Sequence, residues 1–180
     1  MTPGRESRWN RAPATGQSLL VIRTLLPYDV DECAAILSSL GQWFGNPVSN
    51  AAYIDALARE PAFVATVDGE VRGFLALTLH GAGAAEILVM AVAEDFHRQA
   101  FGRDLVGAAE DWCRDRGVSW LHVKTRGPST FDDAYERTRR FYRALGFEEL
   151  YESMTEWGPQ DAALILVKHL ACASGIASTP

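Results

Sequence analysis

The 180-residue chain is 48% hydrophobic and 22% charged, with a formal net charge of −6. These are the proportions and length of one globular domain with a buried core. The acidic balance argues against general nucleic-acid binding, which requires a basic face, and favours solubility. No apolar stretch is long enough to span a membrane, and residues 1–17 have no apolar signal segment. Cys33, Cys113 and Cys172 lack the spacing of a metal site or a disulfide framework. They are expected as reduced thiols of a cytoplasmic protein.

Residues 1–16 read as a disordered arm, 17–170 as the folded domain and 171–180 as a loose tail. Leu19 to Leu25 is β-rich and predicts the first strand. Asp29-Val30-Asp31-Glu32 supplies an N-cap and early acids for a helix to about Leu40. A loop from Trp43 to Pro47 follows, then a helix from about Asn50 to Arg59, ended by Pro61. Two strands, Ala62–Val67 and Val71–His80, flank Asp68-Gly69, a strong hairpin signal. Gly81-Ala82-Gly83 turns the chain into a strand over Ala85–Val92. A helix from about Ala100 to Arg116 shows apolar spacing at Leu105, Val106, Ala109 and Trp112 and ends at Gly117. A strand at Trp120–Thr125, a loop, a helix at Ala134–Ala144 capped by Gly146, and strands at Phe147–Tyr151 and Ala163–Lys168 complete the order. The pattern β-α-α-β-β-β-α-β-α-β-β predicts a mixed α/β sheet flanked by helices.

The most informative stretch runs from Ala85 to Val106. A buried strand delivers a short turn, with Arg98 and Arg103 beside it, onto a helix start. The first N–H groups of a helix have no intrahelical partner, and the helix dipole adds partial positive charge there. A phosphate-bearing, anionic cofactor is the expected ligand.

Two motifs in this order resemble the GNAT superfamily of acyl-CoA-dependent N-acyltransferases, over about Leu19 to Leu170. His97-Arg98-Gln99-Ala100-Phe101-Gly102, followed by Arg103, resembles its pyrophosphate loop, with His97 in place of Gln/Arg and Ala100 in place of the first Gly. Cradling by the Ala100 N–H is expected to require φ < 0 there, because Cβ restricts this residue. Phe101 is expected to point into the core. Phe141-Tyr142-Arg143-Ala144-Leu145-Gly146-Phe147 is similar to the family's helix-to-strand signature.

The resemblance implies a mostly antiparallel sheet splayed at its central strands, and direct attack of an amine on the thioester of acetyl-CoA. It implies that Met90, Ala91 and Val92 present backbone N–H groups to the cofactor, and that residues 97–103 hold its diphosphate. Tyr135 and Thr138 fall where the family has cofactor-facing Asn and Ala. Tyr142 occupies the position of the general acid, and its high ordinary pKa suits protonation of a thiolate. Glu86 resembles the catalytic glutamate of the histone-modifying members and is the first choice for general base. His122, with an ordinary pKa near 6.5, is the second.

Each residue also has a plainer reading: Tyr142 as core cover, Glu86 as a solvated strand end, His122 as a satisfied strand histidine. His80 and His169 are expected to be structural. Cys113 lies mid-helix without a His at motif spacing, which argues against a nucleophile. Trp43 and Phe44 either line the acceptor groove or pack in the core. Asp132, Asp133 and Glu136 are candidates for attracting a cationic amine. The expectation is acetylation of a small-molecule amine, without metal, nucleic-acid or membrane partner. A non-enzymatic acyl-CoA sensor and acetylation of a protein or peptide amine are the alternatives. Many members of the superfamily pair as dimers, which makes a homodimer the oligomer to test.

Overall fold

The computed structural model of the chain describes residues 19–129, 132–158 and 161–171. The expected arm, and the expected tail beyond Ala171, lie outside them. Seven strands and four helices follow in the predicted order: β1 (Leu20–Thr24), α1 (Val30–Ser39), α2 (Pro47–Leu57), β2 (Ala62–Val67), β3 (Glu70–His80), β4 (Ala84–Val92), α3 (Phe101–Arg114), β5 (Trp120–Arg126), α4 (Asp133–Ala144), β6 (Glu148–Ser153) and β7 (Ala163–His169). They form one open, mostly antiparallel sheet with strand order β1-β2-β3-β4-β5-β7-β6.

The chain divides into two compact units, 19–78 with 87–109, and 79–86 with 110–171. In the first, β1 pairs with β2 and β2 with β3, all antiparallel. Asp68 and Gly69 both take positive φ, 52° and 89°, as the predicted tight hairpin demands. Its core joins Cys33, Ile36, Leu37 and Leu40 of the α1 region to Val64, Phe74, Ala76 and Val89 of the sheet. Gly73 is where β3 lies closest to its neighbours. A Cβ there would stand 3.1 Å from the Ala91 carbonyl oxygen and from Val92 Cγ2. In the second unit, β5 and β6 each pair antiparallel with β7.

Helix α2 begins at Pro47, three residues before the predicted Asn50. Asn46 caps it by accepting from the Val48 and Ser49 N–H groups at 2.9 and 3.3 Å, and Pro47 fits the first helical position, where no N–H is needed. Asp29 stands at the N-cap position of α1 without a capping bond from its side chain. The carboxylate is 1% exposed and turns instead to Arg23, at 2.6 and 2.8 Å, and to the Leu26 N–H at 2.7 Å. A buried carboxylate gains more from a two-pronged guanidinium than from one backbone donor.

Burial pushes the Asp29 pKa up, but the Arg23 hydrogen bond, the Leu26 N–H and the Arg23 charge outweigh burial and hold it below the usual carboxylate range. The stabilisation from this pair is therefore complete above about pH 4, the unfolded value, and is lost as pH falls through the lower folded value. Asp29→Asn is expected to cost about 2 kcal/mol of unfolding free energy at neutral pH. Denaturant melts should show its deficit against wild type shrinking on acidification.

Candidate active site

The turn between β4 and α3 is built on two residues of left-handed backbone, Arg98 at φ 61° and Ala100 at φ 71°. Left-handed backbone is one component of the turns in which successive N–H groups make an anion-binding concavity. The cradling expected from the sequence requires φ < 0 at Ala100; the residue is left-handed instead, so that requirement is not met and a cradle at this turn would have to use left-handed backbone there. Ala100 takes the backbone conformation that a glycine would supply, keeps its N–H, and carries a Cβ penalty of about 1–2 kcal/mol. Its carbonyl accepts the Asp104 N–H at 2.9 Å, which starts α3.

His97 ties the turn to the end of β4. Its Nε2 donates to the Val92 carbonyl at 2.7 Å, so that ring nitrogen carries the proton. Its ring meets Trp43 edge-on, with centroids 5.8 Å apart. Gln99 Nε2 donates to the Asp95 carbonyl at 2.7 Å, closing the turn from the other side. Phe101 is 5% exposed and packs on Phe96, while Arg98 and Arg103 are exposed. On β4, Met90 and Val92 are half-buried and Ala91 is buried.

In the second unit, Glu86 of β4 is 7% exposed, so it is not a solvated strand end. Its Oε2 lies 3.0 Å from His80 Nε2 and 3.9 Å from His122 Nε2. Its Oε1 faces Lys124 Nζ at 3.6 Å, and that ammonium also pairs with Glu156 at 3.1 Å. Strand periodicity explains the convergence. His122 and Lys124 are two apart on β5 and share a face. His80 and Glu86 stand across the turn Gly81-Ala82-Gly83.

Sequence reasoning singled out Glu86 and His122 and missed the other three. The even spacing of residues 122 and 124, and of 80 and 86 about the turn, was the available signal for two of them. Burial lowers the His122 pKa below the ordinary histidine range. The Glu86 and Glu156 charges oppose that, His80 and Lys124 reinforce it, and the net direction is down. Burial also acts against the Lys124 charge, but its hydrogen bond to Glu156 and the Glu86 charge leave its pKa raised.

Tyr142, near the end of α4, is 4% exposed, with ring centroids 5.1 Å from Phe141 and 5.4 Å from Phe147. Burial raises its phenol pKa far above the ordinary value, so the hydroxyl keeps its proton. Tyr135 and Thr138 lie on the same helix. The Arg126 guanidinium sits over the Tyr135 ring at 5.0 Å, and Thr138 Oγ1 donates to the Ala134 carbonyl at 3.3 Å.

Two of the three acids proposed to attract an amine are engaged elsewhere. Asp132 caps α4, accepting from Ala134 N–H at 2.8 Å, and pairs with Arg126. Glu136 is held by Arg139 and Arg140, whose hydrogen bonds lower its pKa. Asp133 is exposed. Trp43 and Phe44 pack against the core of the first unit, and Trp43 also reaches His97. Cys33 and Cys113 are fully buried, and burial pushes their thiols up to about 12 and about 11. Neither supplies a thiolate nucleophile at neutral pH. A cavity of about 490 Å³ lined by Thr24, Pro27, Val30, Leu57 and Arg59 contains none of the residues expected to carry chemistry.

The sequence model of the acetyltransferase (GNAT) family matches residues 33–147, and the chain belongs to that family. The structure is similar to a GNAT-family protein from Desulfovibrio desulfuricans, with TM-score 0.75, 21% identity, and coverage of 84% of this chain and 99% of that one. It is similar to the ribosomal-protein-S18-alanine N-acetyltransferase from Escherichia coli, with TM-score 0.67, 23% identity and coverage of 89% and 99%. An aminoglycoside 6′-N-acetyltransferase complexed with coenzyme A matches at TM-score 0.70 and 18% identity, over 84% and 97%. At these identities the neighbours establish the fold. No curated protein matches the chain. Among the described residues no helix is long and apolar enough to cross a membrane.

Two outcomes follow from this geometry. Ala100→Gly is expected to stabilise the protein by about 1 kcal/mol by removing the Cβ penalty, whereas Ala100→Val destabilises it; thermal or denaturant melts measure both. Histidine NMR titration is expected to place the His122 midpoint below about 6.5; a midpoint above that value contradicts the burial effect.

Proposed function

We propose that this protein transfers the acetyl group of acetyl-CoA to a primary amine of a small molecule by direct attack. The observation that carries the reading is the pair of left-handed residues, Arg98 and Ala100, opening α3. A backbone concavity followed by a helix N-terminus is suited to the CoA diphosphate, with Arg98 and Arg103 adding charge. Residues 97–103 would hold that group, Met90 to Val92 would meet the pantetheine, and Tyr135 and Thr138 would flank the cofactor. The names of two neighbours, acting on an aminoglycoside and on a protein alanine, support an amine as acceptor.

In this reading the Glu86 carboxylate takes a proton from the substrate ammonium, directly or through water. The free amine attacks the thioester carbonyl, a C–N bond forms and the C–S bond breaks. Tyr142 donates its phenolic proton to the departing thiolate. Burial keeps the phenol protonated until the C–S bond breaks. The phenolate left behind is a strong base and takes the proton that the acylated nitrogen must lose to become an amide, so Tyr142 is restored. His122, held neutral by its burial, is the second candidate base.

Release of free thiol from acetyl-CoA, followed with polyamines, aminoglycosides, simple alkylamines and peptides, tests the proposal. Glu86→Gln and Tyr142→Phe are each expected to lower kcat by about 100-fold or more. Tyr142→Phe leaves the ring packing in place, so its loss reports on the hydroxyl. Undiminished turnover in both variants overturns these assignments. Calorimetric binding of acetyl-CoA without turnover on any amine favours an acyl-CoA sensor, and absence of binding removes both readings.

A further inference from the structure

We propose that His80, Glu86 and His122 form a binding site for one divalent transition-metal ion of the zinc class. One ligand atom from each residue lies within 4.8 Å of the other two. Tetrahedral zinc with bonds of about 2.0–2.1 Å needs ligand atoms about 3.3 Å apart. The Glu86 Oε2 distances to the two Nε2 atoms, 3.0 and 3.9 Å, bracket that value.

The donors are the two imidazoles and one carboxylate that zinc, cobalt and nickel favour, and that magnesium and calcium do not. Oε2 is available as a single ligand because Oε1 is directed at Lys124, and Lys124 is held in turn by Glu156. A metal-bound carboxylate whose second oxygen is fixed by an outer partner is a recurrent device for orienting the ligand. The Lys124–Glu156 pair is neutral overall, so the charge presented to the ion is that of Glu86. His122 Nδ1 is buried without a hydrogen-bond partner, which leaves Nε2 as the nitrogen able to reach an ion. His80 has about half its side chain exposed and gives the ion its entry path, with a position left for water or another ligand.

The site shares Glu86 with the proposed base but does not depend on that role. Occupancy would occupy the Oε2 lone pair and so suppress proton abstraction if Glu86 is the base. The full chain, stripped with a chelator and free of any affinity tag, is titrated with zinc chloride against a chromophoric zinc indicator. One ion per chain is expected. His80→Ala and His122→Ala should each weaken binding at least tenfold, and zinc should raise the melting temperature of wild type but not of His80→Ala. His80 lies at a strand end and is half exposed, so its variant decides the matter even if His122→Ala fails to fold. Absence of stoichiometric binding overturns the proposal, as does wild-type affinity in His80→Ala. Acetyl transfer assayed with and without zinc separates the two readings. Binding together with inhibition supports both. Binding with unchanged turnover leaves the metal site standing and removes Glu86 from the base role.

Discussion

The demand of a buried carboxylate for partners organises the cluster of charged side chains around Glu86. Glu86 has almost no access to water, and a polar group in that position is tolerated only when hydrogen-bonded or ion-paired. Its neighbours on the sheet meet the demand, with two imidazoles on one oxygen and an ammonium on the other. The same burial depresses the pKa of His122 and leaves Lys124 dependent on Glu156. A group surrounded in this way has a fixed direction and a defined set of proton neighbours. Those are the properties that a general base and a metal ligand have in common.

The turn between β4 and α3 shows a different compromise. Left-handed backbone at Ala100 is unfavourable for any residue with a Cβ, and proteins tolerate such strain where the surroundings over-determine the conformation. Here the surroundings are visible. His97 is bound to the Val92 carbonyl, Gln99 to the Asp95 carbonyl, and Ala100 itself begins the α3 hydrogen-bond ladder. The two departures from the family motif, His97 and Ala100, lie three residues apart in one turn. The histidine anchors the segment in which the alanine is strained. Gly73, which lets β3 approach the end of β4, serves the same region.

Asp132 and Glu136, at the start of α4, show how local structure claims groups that the sequence offers for another role. Asp132 and Glu136 resemble an electrostatic trap for an amine when read along the chain. In the fold their oxygens are taken by a helix N-terminus and by Arg126, Arg139, Arg140 and Arg143. A carboxylate four residues before an arginine on a helix, as Glu136 is to Arg140, is a helix-stabilising pair first.

Element order and most element bounds were legible in the sequence, because apolar periodicity, the Asp68-Gly69 turn and the glycine stops at 117 and 146 act over a few residues. So was the turn between β4 and α3, since a local motif carries it. Backbone sign at Ala100 was not legible, because a residue with a Cβ is by default right-handed and only its hydrogen-bonded surroundings hold it otherwise. Nor was the rotation of Asp29 away from its helix, which depends on Arg23 arriving from β1. The assembly of His80, Lys124 and Glu156 around Glu86 was decided by tertiary structure, since the even spacings of residues 122 and 124, and of 80 and 86, mark only shared faces. These residues come from β3, β5 and a segment after β6, and side-chain alternation within one strand says nothing about which neighbour will stand beside it in the sheet.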